Sequence, residues 1–366
     1  MRYRTFGRFG HQVSQLGFGA MRLPTKEDGS VDFDRAVPLI RRAVELGVNF
    51  IDSHHFYHHG DSEVAIGRAI RGLRDRVYLQ TKTPMYREVE SEDVRWRWLE
   101  TALEKLGTDY IDFYLAHSLN WERFQKDFDP FMKLAQKAKD QGMIRHIGFS
   151  FHDTAEALRK IIDTDAFDCM TVQYNMINRS LEDPIAYAHE KGMGVVIMGP
   201  VGGGSLAAPS AEIAKLLPEQ AKSSAEIALR FVLANPNISL ALSGMSTMEQ
   251  LEENVAVADR EVILSADDYD RIREVLDEKR RLSELYCTGC QYCLPCPNGV
   301  DIPANFELMN LHRIYGVTET ARKRYGRLVA RKASAGECLE CGECEPKCPQ
   351  RIPIMEQLKE VAEVLG

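Results

Sequence analysis

The sequence predicts an α/β protein in two parts. A closed (β/α)8 barrel entered by a β-hairpin is expected over residues 1–280, followed by a small, mainly α-helical domain over residues 281–366. Three observations predict this. Eight short runs rich in Val, Ile, Phe and Tyr recur along the first part, each too short to be a helix. Longer amphipathic stretches separate them, and strands that alternate with helices build parallel βαβ units. Eight of the nine cysteines fall between Cys287 and Cys348, beyond the last such unit. Eight units fit a closed barrel better than an open, doubly wound sheet.

Taken in order, Arg2–Val13 reads as a hairpin with Gly7 and Gly10 near its turn, placed to plug the bottom of the barrel. The strand-like runs are Leu16–Ala20, Asn49–Ser53, Val77–Lys82, Ile111–His117, Ile144–Ser150, Met170–Tyr174, Val195–Met198 and Ser239–Leu242. Helix-like stretches between them include Phe33–Leu46, Ser91–Leu106, Pro130–Gln141 and Thr154–Ile162. In Ser91–Leu106 the apolar residues Val94, Trp98, Ala102 and Leu106 form one stripe. Ser91 is the expected N-cap there and Gly107 the stop. Ser265–Leu282 reads as a final amphipathic helix, and the charged stretch Lys279–Ser283 marks the boundary between the two parts. In the second part, Phe306–Tyr315 and Glu319–Lys332 read as helices between two cysteine-rich segments.

Composition bounds the function. A hydrophobic fraction of 44% and a charged fraction of 27% are ordinary for a globular chain and exclude a largely disordered one. A net charge of −8 argues against a nucleic-acid binder. The opening MRYRTFGRFG has no apolar core of a secretory signal, and no apolar run reaches the length of a membrane span. The expected compartment is the reducing cytoplasm, with no membrane partner. There, clustered cysteines read as metal ligands rather than disulfides.

The cysteines form an imperfect repeat. Cys338, Cys341, Cys344 and Cys348 follow C-x₂-C-x₂-C-x₃-C-P, the bacterial ferredoxin pattern for a 4Fe–4S cluster. Cys287, Cys290, Cys293 and Cys296 repeat it with one residue fewer before the last cysteine, and Pro297 follows. In two-cluster ferredoxins the fourth cysteine of each run ligates the other cluster. By that rule Cys287, Cys290 and Cys293 pair with Cys348, and Cys338, Cys341 and Cys344 pair with Cys296. The shortened spacing suits this crossing. Two structural zinc sites are the competing reading, but zinc needs only four ligands, usually as two C-x₂-C pairs. Cys169 stands apart and reads as a small buried apolar residue.

In a barrel of this kind, polar residues at the C-terminal ends of strands are candidates for chemistry. Those ends carry Asp52 and Tyr57 after the second strand, Lys82 at the end of the third and His117 at the end of the fourth. Asp52 is expected to hold Lys82 charged, and Lys82 to make Tyr57 a better acid near neutral pH. His117 is placed to orient a carbonyl or share the proton. The neighbouring His54, His55, His58 and His59 read as the lining of a polar substrate mouth rather than a metal site.

The stretches LGFGAMR, NFIDSHHFYHHGDSEVAIGRAI, YLQTK, YIDFYLAH, IRHIGFS, VQYN and GMSTMEQLEENV run in order over residues 16–255. On them the chain resembles the aldo-keto reductase superfamily, and with its cysteines it looks like the branch that carries a ferredoxin-like, two-cluster 4Fe–4S domain. The resemblance implies a TIM barrel. It also implies hydride transfer from NADPH or NADH to a small aldehyde or ketone, with the tetrad on Asp52, Tyr57, Lys82 and His117 and Tyr57 as general acid. It assigns Ser150 and Gln173 to the carboxamide and Met198 to the place of the tyrosine that stacks on the nicotinamide. Glu253 and Asn254 fall on the adenine-contacting pair. The cations that grip the 2′-phosphate in NADPH-specific members align with Gly244 and Gln250, which argues against strict NADPH use. Gly19, Met21, Gly199, Pro200, Gly202, Ser246 and Thr247 complete the implied cofactor set. Gly202–Gly204 offers either a close approach to the pyrophosphate or an ordinary loop. No G-x-G-x-x-G or Walker motif is present.

A second function class stays open: an iron–sulfur electron-transfer or redox-sensing protein whose barrel is a docking scaffold. Its support is the ferredoxin motif and the eroded cofactor positions. The run Arg322, Lys323, Arg324, Arg327, Arg331 and Lys332 has helical spacing. It reads as a solvated face or as a docking patch for an acidic electron carrier of ferredoxin or flavodoxin type. Substrate choice is expected to rest on loops such as His117–Phe128 and Val201–Pro218.

Overall fold

The hairpin forms where the sequence places it. Strands β1 (Tyr3–Phe6) and β2 (His11–Ser14) pair antiparallel, with Tyr3 opposite Ser14. A 3-10 turn over Gly7–Phe9 joins them and ends on Gly10 at φ 74°. In the computed structural model the described residues are 1–366 except 86–91, 203–205, 207–209, 217–220, 288–290, 292 and 349–350. The expected Ser91 cap, Gly203, Gly204 and Cys290 therefore lie outside the described residues.

Eight parallel strands close into the barrel. They are β3 (Leu16–Gly19), β4 (Phe50–Asp52), β5 (Tyr78–Pro84), β6 (Ile111–Leu119), β7 (Ile144–Phe151), β8 (Cys169–Gln173), β9 (Gly194–Met198) and β10 (Leu240–Ser243), and β10 pairs with both β9 and β3. Each predicted run has its strand, with ends displaced by a few residues. Phe6 and Val13 of the hairpin pack with Phe50, Phe113, Val196 and Leu240, residues at or near the starts of their strands. The Phe6 ring lies 4.6 Å from that of Phe113 and 5.8 Å from that of Phe50. A Cβ at Gly194 would stand 2.1 Å from Phe6, so only glycine lets the hairpin seat there. The hairpin thus closes the N-terminal end of the barrel and leaves the C-terminal strand ends for a site. Cys169 is fully buried in the same core, and burial holds its thiol far above the usual range.

The helices match with one correction. Phe33–Glu45, Glu92–Leu106 and Ala155–Ile162 occupy predicted places, the last capped by Thr154, which accepts from Ala157 N–H at 3.3 Å. The segment expected to start at Pro130 instead belongs to one helix, Trp121–Asp140. Asn120 caps it, its side chain accepting from Arg123 N–H at 2.8 Å. Most of the expected loop His117–Phe128 is therefore helix.

The chain divides into two compact units, Met1–Pro200 with Leu229–Ile263, and Val201–Ala228 with Leu264–Gly366. The first holds every strand found among the described residues. The second holds the helices Ala266–Tyr286, Ile302–Tyr315, Thr318–Ala330 and Ile354–Leu365. Ala266–Tyr286 runs on past the predicted end at Leu282. Ile302–Tyr315 starts before Phe306 because Asp301 caps it, accepting from Ala304 N–H at 3.2 Å. Phe306, Met309, Leu358 and Val361 are among the buried apolar side chains of the second unit. Among the described residues, no helix is long and apolar enough to cross a membrane.

Candidate active site

Register alone brings the first pair together. Asp52, the last residue of β4, pairs with Gln80 of β5, and side chains two apart on a strand share a face, so Lys82 projects beside both. Lys82 Nζ donates to Asp52 Oδ1 and, at 2.6 Å, to the carbonyl of Ser53. Gln80 Nε2 donates to Asp52 Oδ1 at 2.6 Å and to Thr171 Oγ1, across on β8, at 3.1 Å. Asp52 is 5% exposed and Lys82 2%. Burial pushes the Asp52 carboxyl up and the Lys82 ammonium down, each opposed by the charge of the other. Asp52 does favour the charged lysine, as the sequence suggests, but burial outweighs it.

Tyr57 opens a 3-10 turn, Tyr57–Gly60, and its N–H donates to the carbonyl of His54 at 3.0 Å. His58 and His59 follow at φ 50° and 57°. Left-handed backbone at a residue with a Cβ costs about 1 kcal/mol or more, so two in succession mark a loop held by its surroundings. Lys82 Nζ lies 5.3 Å from the centroid of the Tyr57 ring.

His117 stands edge-on to Tyr57, ring centres 6.3 Å apart. Its Nδ1 is 3.0 Å from Ser150 Oγ, which also accepts Ser118 N–H at 2.8 Å. Burial, then the charges of His54 and Lys82, hold its imidazole far below the usual range, so the ring is neutral. A phenol, a neutral imidazole and a buried ammonium–carboxylate pair therefore share one strand-end mouth. That set is suited to giving a proton to an oxygen held there.

The other predicted residues fall as follows. Gly19 ends β3, and a Cβ there would meet Ser243 O at 3.4 Å. Met21 is 58% exposed in the turn that follows. Gln173 and Met198 end β8 and β9. Gly199 has φ 64°, its carbonyl accepts from Asn175 Nδ2 at 3.0 Å, and a Cβ there would lie 3.8 Å from Gln173. Bare backbone thus faces Gln173 at this strand end, and it suits the close approach of a flat amide-bearing ring. Pro200, just after, is buried. Gly202 lies in the second unit at φ 59°.

Gly244 follows β10 with the Arg22 side chain laid over it, 2.6 Å from where a Cβ would be. Ser246 Oγ donates to Arg22 O at 2.7 Å, and Ser246 N–H to Gln250 Oε1 at 2.8 Å. Thr247 caps the helix Met248–Ala258, accepting from Gln250 N–H at 3.2 Å. Asn254 Nδ2 donates to Ser243 Oγ at 3.1 Å, while Glu253 is exposed. Gly19, Gly244, Ser246, Gln250 and Asn254 thus meet around the ends of β3 and β10.

Sequence reasoning missed Gln80, Thr171 and Glu63. Gln80 shares the face of Lys82, and that two-residue spacing was its signal. Glu63, fully buried, accepts from Thr81 Oγ1 at 2.7 Å and faces His55 Nδ1 at 3.8 Å. Of the histidine run, His54 and His55 are buried and His59 is exposed.

In the second unit one cavity is lined by Cys293, Cys296, Cys338, Cys341 and Cys344. Burial, then Glu345, Cys338 and Cys296, raise the Cys344 thiol. Among the described residues no group of three or more His, Cys, Asp or Glu converges on a single metal ion. The five thiols at this cavity are the donor type that a 4Fe–4S cluster takes. Of the basic run, Arg322 donates to Val364 O at 3.1 Å and Arg324 to Glu307 at 2.8 Å.

Residues 15–277 match the aldo/keto reductase family and residues 286–352 match a 4Fe-4S dicluster domain. An L-galactose dehydrogenase of Arabidopsis thaliana is 30% identical over 279 residues, 69% of this chain and 86% of its own. An NADH-specific methylglyoxal reductase of Escherichia coli is 24% identical over 321 residues, 74% of this chain and 96% of its own. Among solved structures, the holo form of the aldo-keto reductase AKR11C1 from Bacillus halodurans superposes with a TM-score of 0.65 at 26% identity, covering 75% of this chain and 96% of that one. An aldo/keto reductase from Klebsiella pneumoniae in complex with NADP and acetate gives 0.64 at 25% identity, covering 75% and 95%. The chain belongs to the aldo/keto reductase family, as an NAD(P)H-using oxidoreductase with a C-terminal domain of the 4Fe-4S dicluster type.

Proposed function

We propose that this chain reduces the carbonyl of a small aldehyde or ketone, with Tyr57 as the proton donor. The observation that carries the reading is the meeting of Asp52, Lys82, Tyr57 and His117 at the C-terminal strand ends. A nicotinamide held there would supply a hydride to the carbonyl carbon. As that C–H bond forms, the carbonyl π pair moves onto oxygen, and Tyr57 gives its phenolic proton to it. Lys82, beside the ring, stabilises the phenolate left behind, and Asp52 with Gln80 holds Lys82 in place. His117, neutral, donates to the carbonyl oxygen. Ser150, Gln173, Met198, Gly199 and the groups around Gly244 hold the dinucleotide. Relatives named for L-galactose and methylglyoxal support a substrate with oxygen on the carbon next to the carbonyl.

In the C-terminal domain, Cys287, Cys290, Cys293 and Cys348 hold one 4Fe–4S cluster and Cys338, Cys341, Cys344 and Cys296 the other. Cys296 lines one cavity with Cys338, Cys341 and Cys344, which supports the crossing, and Cys293 lines that cavity too. The family matches, ending at 277 and starting at 286, support a domain boundary near 280. The clusters exchange single electrons with an acidic carrier on the basic helix, in the cytoplasm.

The test is Tyr57→Phe in anaerobically purified protein, with a panel of aldehydes and both nicotinamides. Turnover is expected to fall by about 10²–10⁴, with nicotinamide affinity and iron content unchanged. Full turnover by the variant overturns the reading, as does a wild type that binds no nicotinamide and reduces no carbonyl.

A further inference from the structure

The strand that carries His117 kinks one residue later. Ser118 has φ 59°, and the pairing of β6 with β7 shifts register between Ala116 and Leu119. Three hydrogen bonds hold the kink. Ser118 N–H donates to Ser150 Oγ at 2.8 Å, the same hydroxyl that meets His117 Nδ1. The carbonyl and the hydroxyl of Ser118 accept from Arg123 Nη1 at 2.6 and 3.2 Å. Arg123 belongs to the first turn of the helix Trp121–Asp140, where its N–H is given to the Asn120 cap. Helical side chains lean toward the N-terminus of their helix. In a first turn that direction leads back over the strand end, so the guanidinium comes to rest beside the residue after His117.

Both bonds of the half-buried Arg123 side chain use Nη1. Among the described residues, its Nε and Nη2 have no acceptor and no carboxylate pairs with it. The nearby carboxylates are engaged elsewhere. Asp52 accepts from Lys82 and Gln80, and Asp153 accepts Trp121 N–H at 3.0 Å and Thr154 N–H at 2.8 Å. Lys82 and Asp52 cancel and His117 is neutral, while the charge of Arg123 reaches both His117 and His152, the residue after β7. Among the described residues the mouth thus holds one cation in excess, at the ends of β6 and β7. A planar guanidinium fork matches a carboxylate, two N–H groups to two oxygens. One guanidinium answers one negative charge. A phosphate dianion calls for a second cation, and Lys82 is held by Asp52.

We propose that Arg123 selects the substrate: the aldehyde or ketone carries a carboxylate a short chain away from its carbonyl, and Arg123 binds that carboxylate while His117 and Tyr57 meet the carbonyl oxygen. The inference rests on the proposed carbonyl reduction and names its substrate class, a short oxo acid. A carboxylate directly beside the carbonyl also puts oxygen on the neighbouring carbon, the feature shared by the relatives' named substrates.

The experiment compares wild type, Arg123→Met and Arg123→Lys, each as full-length holoprotein, on two pairs of aldehydes: glyoxylate against glycolaldehyde, and succinic semialdehyde against butanal. The wild type is expected to prefer the acid in at least one pair. In Arg123→Met, which keeps the length and loses the charge, kcat/KM for that acid should fall by about 10- to 100-fold, mostly through KM. The neutral partner should stay within about threefold of wild type. Arg123→Lys keeps the charge without the fork and should recover part of the loss. A second readout needs no turnover. Calorimetric binding of oxalate or succinate, whichever matches the preferred acid, to the nicotinamide-loaded protein should weaken in Arg123→Met by a similar factor. Acid and neutral aldehydes that fall together in Arg123→Met would show that the guanidinium only braces Ser118, and would overturn the proposal. So would a wild type that prefers neither acid, or one that prefers phosphorylated glyceraldehyde to both. Oxalate or succinate binding that depends on Arg123, in a protein that reduces no carbonyl, would overturn the carbonyl-reduction reading and leave the carboxylate site standing.

Discussion

Lys82→Met removes one half of a buried ion pair and keeps the length of the side chain. In the native site, Asp52 Oδ1 accepts from Lys82 Nζ and Gln80 Nε2, and both charged residues are almost wholly out of solvent. Breaking such a pair costs about 3–5 kcal/mol, because the surviving charge has lost its partner in a dry site. The carboxyl can escape only by keeping a proton. Burial already pushes it up, and without Lys82 the opposing charge is gone. In the pH range above its unfolded value of about 3.9, the folded variant then binds a proton that the unfolded chain does not. Stability must fall as pH rises, by about 1.4 kcal/mol per pH unit, until the raised folded value is passed. Between about pH 5.5 and about pH 8 that amounts to up to ~3.5 kcal/mol relative to the wild type. Urea unfolding followed by far-UV circular dichroism at those two pH values reads the difference as a shift in midpoint. Asp52→Asn/Lys82→Met is the control: with both titrating groups gone, most of the loss should return and the pH dependence should flatten. A Lys82→Met cost below about 1 kcal/mol, or one equal at both pH values, refutes the buried-pair account.

Two further outcomes follow from the fold and the cysteine cavity. Phe6→Ala empties the space between Phe50, Phe113 and Gly194 at the base of the barrel and should cost about 3–5 kcal/mol in the same urea assay, and a loss under about 1 kcal/mol would mean the hairpin does not close the barrel. Cys296→Ser should lose the cluster held by Cys338, Cys341 and Cys344 and keep the one held by Cys287, Cys290 and Cys293, about half the iron by metal analysis. Loss confined to the Cys287–Cys293 cluster would show that the fourth ligands do not cross.

Much of the fold was legible because its signals are local. Val, Ile, Phe and Tyr runs of strand length mark β3 to β10 whatever they pack against, and glycines flag the hairpin turn. The helix Trp121–Asp140 was misread for an equally local reason. Proline is favoured in a first helical turn, yet Pro130 sits inside this helix, whose start is marked by the Asn120 cap. At the site, Asp52, Lys82 and His117 were legible as polar residues ending apolar strands. Gln80 was not, because its value lies in reaching Asp52 on one side and Thr171 across the barrel, contacts that exist only after closure. The charge state of Lys82 was half legible: the partner is in the sequence, but the burial that opposes it belongs to the barrel.

The proposed function also divides the electrons between the two halves of the chain. Hydride transfer moves a pair at once, whereas a 4Fe–4S cluster passes one at a time. Every group assigned to the hydride and proton lies within the span that matches the aldo/keto reductase family, which ends at residue 277. About three quarters of this chain covers 95–96% of the reductases of known structure described above. On the proposed reading, the barrel end would have its proton donor, its donor to oxygen and its cofactor backbone without iron. On that reading iron would be an addition to the hydride site, and a direct path between the two would need a carrier that splits an electron pair into single electrons. Such a carrier is a requirement set by electron count alone. It also explains why the cysteine motif, although the most specific signal in the sequence, says less about the reaction than four polar residues at the strand ends.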